Sequence, residues 1–206
     1  MPGKRISGHA IKNAEKLLKY YEEMGYQNIC ISSAELGAGI SFLKKHDYSG
    51  SLFLSANVLK EGKLVFEPGR GYNIKGKKVW VIALTDLFSS SSLAKEGIKI
   101  DDPISAIKKL WGSIPKQTDI VILLTSLNQL ETRKILKTFP EIDLVISSGI
   151  GMPTYVPLKE GKSLIVSTHP KGKSIGIIAI DVANGKIVTY DNKLIMLKDS
   201  MLENNF

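Results

Sequence analysis

Val79-Trp80-Val81-Ile82-Ala83-Leu84 is an unbroken apolar run that follows a tight turn at Gly76-Lys77-Lys78. A run this short and continuous reads as a strand buried on both faces, as the interior of a parallel sheet requires. Two more runs of the same kind lie downstream, at 120–124 and 144–146. Helical patterns separate the three. Asp102-Pro103 gives an N-cap and N1 pair, with Ile104, Ile107 and Leu110 directed inward. The second pattern runs through Glu131, Ile135 and Leu136 and stops near Thr138, ahead of Pro140. Strands alternating with helices of this length predict an α/β domain.

The same alternation extends upstream. Ser7 caps a predicted helix to about Met24, with Ile11, Ala14, Leu18 and Tyr21 on one face and Gly25 after it. A strand over 28–31, a second helix over 37–46 and short strands at 52–54, 64–66 and 72–74 follow. Ser89-Ser90-Ser91-Ser92 reads as a loop. Downstream, strands are expected at 164–166, 175–182 and 186–190, the last two joined by an Asn184-Gly185 hairpin turn. The expectation is one α/β domain over 1–206 with mixed sheets and a β-rich C-terminal third, ending in a polar tail at 198–206. No internal repeat is present.

Composition narrows the chemistry. The chain has 206 residues, 43% hydrophobic and 23% charged, which suits a folded domain and excludes a disordered or collagen-like chain. One cysteine, Cys30, excludes an internal disulfide and a Cys-rich zinc module. His9, His46 and His169 lie far apart, so a site built on imidazole ligands is disfavoured. His9 and His46 read as solvated, and Cys30 as a packed, inert thiol. The formal charge of +8 comes from dispersed lysines, which predicts a solvated basic surface and no specific nucleic-acid partner. No apolar run is long enough for a transmembrane segment, and no secretory signal opens the chain.

In α/β sheets, chemistry collects beyond the carboxyl ends of the strands. Those places hold Ser32-Ser33-Ala34-Glu35, Asp86, Thr125-Ser126 and Ser147-Ser148-Gly149-Ile150-Gly151. A two-metal phosphoesterase needs Asp, Asn and His there. Only Glu35 and Asp86 are anionic. The candidate cleft residues are Ser33, Glu35, Asn57, Asp86, Ser126, Ser147, Ser148 and Gly149. Asn57 is open between a turn amide and a substrate contact, and the 147–151 loop between a glycine turn and an anion nest.

The order of these segments resembles the catalytic domain of the 5'-nucleotidase/UDP-sugar hydrolase branch of the calcineurin-like metallophosphoesterases. Phe53-Leu54-Ser55-Ala56-Asn57 is similar to the family's Phe-Leu-Ser-Ala-Asn. Val79 to Thr85 resembles its Val-Gly-Val-Ile-Gly-Leu-Thr strand, and Gly172-Lys173-Ser174-Ile175-Gly176 its Gly-Lys-Tyr-Leu-Gly. The resemblance implies a layered α-β-β-α sandwich. It also places the family's ligands on altered residues. The Asn and His of Gly-Asn-His-Glu fall on Ser33 and Ala34, the His of Leu-Leu-Ser-His on Ser126, and both His of Gly-Gly-His-Thr-His on Gly149 and Gly151. The chain contains no Asp-x-His and no Gly-Asp.

The resulting expectation is a catalytically degenerate, metal-free domain, acting as a binding or interaction module for a protein partner, with a residual phosphate or nucleotide cleft. Two alternatives stay open: a hydrolase with a rebuilt site, or metal motifs supplied by a missing N-terminal segment. The resemblance implies an extracytoplasmic location if a signal was removed; otherwise a cytoplasmic one is expected.

Overall fold

The computed structural model describes residues 8–47, 52–87 and 91–198. The predicted Ser7 cap, the serines at 89 and 90, the side chain of His9 and most of the polar tail lie outside the described residues. The chain opens with α1 (Gly8–Glu23), β1 (Ile29–Cys30), α2 (Ser33–Leu36), α3 (Ile40–Lys45) and β2 (Phe53–Leu54). Then come β3 (Val58–Lys60), β4 (Lys63–Leu64), β5 (Gly69–Ile74), β6 (Lys77–Leu84), α4 (Ser91–Lys95) and β7 (Ile98–Ile100). The central part holds α5 (Pro103–Trp111), β8 (Ile120–Thr125), α6 (Gln129–Thr138) and β9 (Leu144–Ser147). The chain continues through β10 (Leu158–Glu160), β11 (Ser163–Val166), β12 (Ser174–Ala183) and β13 (Lys186–Met196).

The Val79 run and its two companions form the middle of a six-stranded mixed sheet, ordered β10-β11-β9-β8-β6-β5. Pairing is parallel from β6 through β8 and β9 to β11, and antiparallel at both ends. One face carries α5 and α6: Ile82, Leu123, Val145 and Ile165 pack with Ile107, Ile135 and Leu136. The other face meets a second β layer made of two separate pieces, the parallel pair β1–β2 and the antiparallel ribbon β12–β13. Beyond β1–β2, Leu18, Leu36, Ile40 and Leu43 of the first three helices close a second core over Ile31 and Phe53. The layers are thus α-β-β-α, as the resemblance implied.

Local chemistry explains several boundaries. Asp102 caps α5 by accepting from Ser105 N at 2.8 Å, and Asn128 caps α6 through Glu131 N at 2.9 Å. Asn184 and Gly185 both take positive φ, 51° and 65°, the primed turn that suits a twisted ribbon. The helix expected over 37–46 instead begins at Ile40. Gly39 at φ 90° separates α3 from a shorter helix, α2, that falls in the segment read as loop. The predicted serine loop is corrected at its end: Ser91 and Ser92 belong to α4. His46 is half-buried, not solvated; it packs on Phe42 with ring centroids 4.6 Å apart and lies 3.6 Å from Glu15.

Candidate functional site

The carboxyl ends of β1, β6 and β8 converge on Asp86. Its Oδ1 accepts from Ser33 N at 2.9 Å and from Ser126 Oγ at 2.7 Å, and its Oδ2 accepts from Ser33 Oγ. The Asp86 amide donates back to Ser126 Oγ at 2.9 Å. Burial alone would raise the Asp86 pKa. The hydrogen bonds from Ser33, Ser126 and its own backbone outweigh that penalty and hold the carboxyl below its usual range. The result is an ionised, fully engaged carboxylate that ties three strand ends together.

The other candidates have structural partners of their own. Glu35 forms a capping box with Ser32, accepting from Ser32 N at 2.8 Å. Asn57 is fully buried. Its Oδ1 accepts from Thr85 N at 2.8 Å, and its Nδ2 donates to the carbonyls of Thr85 and Asp101 at 2.8 and 3.2 Å. It therefore splices the start of β3 to the end of β6, with its amide committed to backbone groups. Ser147 is buried and its Oγ accepts from Gly149 N at 3.1 Å. Ser148 N donates to Thr125 O at 2.9 Å, which joins the loop to the end of β8 through backbone alone. Two amides of the supposed nest are thus already committed.

Gly149 shows why the imidazole expected there from the resemblance has no room. A Cβ at Gly149 would lie 2.2 Å from the carbonyl oxygens of both Ser126 and Leu127. The two loops cross backbone to backbone, and only glycine permits that approach. Among the described residues, no three His, Cys, Asp or Glu side chains come together as a metal site. The residues present do not fit a two-metal centre: Ser33 and Ser126 commit their hydroxyls to Asp86, and Ala34 and Gly149 carry no donor side chain.

Cys30 lies beneath this cluster, with its Sγ 3.3 Å from Leu84 O. Burial pushes its thiol up to about 12, so it stays protonated. His169 is remote in role: its Nδ1 meets Ser174 Oγ at 3.0 Å, and its Nε2 is 3.4 Å from the Tyr155 hydroxyl. Sequence reasoning placed Ser33, Asp86 and Ser126 in one candidate cleft. It did not foresee that both serines donate to Asp86, because those bonds depend on the packing of the strand ends. Among the described residues, no helix is long and apolar enough to cross a membrane.

No protein-family model matches the sequence, and a search of curated proteins finds no relative. Solved structures do match. Sulfate thiohydrolase SoxB of Thermus thermophilus, solved with glycerol, superposes with a TM-score of 0.78 at 17% identity, over 92% of this chain and 36% of its own. A putative 5'-nucleotidase from Staphylococcus aureus, solved with alpha-ketoglutarate, gives 0.75 at 14% identity, over 93% and 42%. The NAD nucleotidase of Haemophilus influenzae gives 0.71 at 14%, over 90% and 38%. The chain spans roughly two-fifths of the length of these proteins. The chain shares the fold of the matching region of these proteins.

Proposed function

We infer that the chain is a catalytically degenerate domain of this fold that serves as a binding or interaction module. The observation that carries this reading is the Ser33–Asp86–Ser126 network, which occupies the strand-end position where the resemblance puts metal ligands. Neutral hydroxyls there satisfy a carboxylate and leave little to bind a divalent ion. A serine hydrolase rebuilt on the same residues is disfavoured on acid–base grounds. Asp86 is held below its usual pKa range, which makes it a weaker base toward Ser126.

A residual phosphate cleft has less in its favour. The charged group at the centre is an anion, and the amides of Gly149 and Ser148 are already used. Elemental analysis after loading with Mn²⁺, Zn²⁺ or Co²⁺ and dialysis tests the proposal, paired with phosphatase and nucleotidase assays in each metal. The expected result is metal well below one ion per chain and no turnover. Stoichiometric metal with turnover would overturn it. Thermal shifts with phosphate, AMP and UDP-glucose test the cleft separately, and a raised midpoint with any of them would restore it.

A further inference from the structure

The β12–β13 ribbon turns at Asn184-Gly185, and of the chain's asparagines only Asn184 precedes a glycine. The side-chain carbon of an asparagine is open to attack by the backbone nitrogen of the next residue. Glycine, without a β-carbon, obstructs that attack least. Asn184 is also exposed to water.

The turn itself opposes the reaction. Asn184 and Gly185 have φ of 51° and 65°, and a two-residue turn of this kind holds both in the left-handed region. Ring closure needs the Asn184 Cα–C bond rotated well away from the left-handed ψ, so that the Gly185 nitrogen comes beside the side-chain carbon. The turn is pinned as well. Its closing pairs are Ala183 with Lys186 and Val182 with Ile187. Val182 and Ile187 pack against the cluster of Val79, Val81 and Ile120 on the large sheet. The tip lies over the start of β8, where a Cβ on Gly185 would be 3.8 Å from Asp119 O. Reaction therefore requires the tip to open first, a local event that leaves the large sheet intact.

We propose that Asn184 is a site of spontaneous backbone modification, converted through a succinimide to isoaspartate at a rate set by opening of the ribbon tip. The Gly185 nitrogen bonds to the Asn184 side-chain carbon and gives up its proton. The side-chain nitrogen takes up a proton and leaves as ammonia. Water then adds to one ring carbonyl and reopens the ring. Addition at the side-chain carbonyl gives aspartate, and addition at the backbone carbonyl gives isoaspartate. Isoaspartate adds a methylene to the backbone of a turn built for two residues, so the Ala183–Lys186 pair no longer closes. The tip is then released from Asp119. This goes beyond the proposed loss of catalysis and does not depend on it.

The test incubates the full chain and a peptide spanning 182–187 at mildly alkaline pH. Mass spectrometry with electron-transfer fragmentation counts isoaspartate at position 184. The expected result is conversion in both, about tenfold or more slower in the folded chain. Ile187→Ala loosens the anchorage of the tip and should speed conversion in the chain severalfold. Trypsin should cut after Lys186 readily in the isoaspartyl form. It should cut Asn184→Asp, which carries the charge without the added methylene, no faster than the parent chain. No isoaspartate in the chain once the peptide has fully reacted would overturn the proposal. So would equal rates in chain and peptide, or no acceleration by Ile187→Ala, since either removes the tip as the gate. Equal cleavage of the isoaspartyl form and the parent chain would overturn release of the tip.

Discussion

Asp86 concentrates what one residue does in this molecule. It accepts three hydrogen bonds from two serines that belong to other strand ends. Its folded-state pKa lies below the ordinary value. The stabilisation is therefore fully present above the unfolded pKa of about 4 and is lost as pH falls through the lower folded value. Asp86→Asn keeps the shape but exchanges one acceptor for a donor. It should cost about 1–3 kcal/mol at neutral pH, the range for hydrogen bonds to a partly buried charged group. Urea unfolding at pH 7 and at progressively acidic pH checks this: the gap between the variant and the parent chain should narrow in acid. A constant gap would mean that the carboxylate charge contributes nothing. From the sequence, Asp86 is legible as an anion beyond a strand. Its serine partners, 53 and 40 residues away, are legible as members of the same cleft but not as its hydrogen-bond donors. Gly149 has the same difficulty. Its reading as a glycine turn misses the Ser126–Leu127 backbone that crosses it, because that approach comes from tertiary packing.

Elements were legible in proportion to how strongly local chemistry marks them. β6, β8 and β9 are apolar runs that form the interior of the sheet, and α5 and α6 carry side-chain caps. The short strands β3, β7 and β10 are three residues each, too brief for any period to register. They exist because β3 finds β4 and β7 as partners and β10 finds β11, which is a tertiary fact. Helix α5 allows a direct test of the local half of this argument. Asp102→Ala removes the oxygen that accepts from Ser105 N and should lower stability by about 1 kcal/mol, whereas Asp102→Asn should recover most of it. Chemical denaturation of both variants decides between a cap and a merely exposed acid.

At the scale of the whole molecule, the strand order makes the layers, and the layers decide which apolar residues are core. Val145 and Ile146 are neighbours on β9 and point to opposite faces. Val145 is fully buried under α6, whereas Ile146 is 42% exposed on the opposite face. Sequence alone treats them alike, since both belong to one apolar run. Substituting each by Thr separates the faces while keeping a β-branched side chain. Val145→Thr buries a hydroxyl among aliphatic groups and should cost about 1–3 kcal/mol. Ile146→Thr trims an aliphatic side chain on a half-open surface and should cost under about 1 kcal/mol. Denaturant titrations of the two variants measure the difference directly. If Ile146→Thr proved as costly as Val145→Thr, the second face of β9 would be covered in the chain itself.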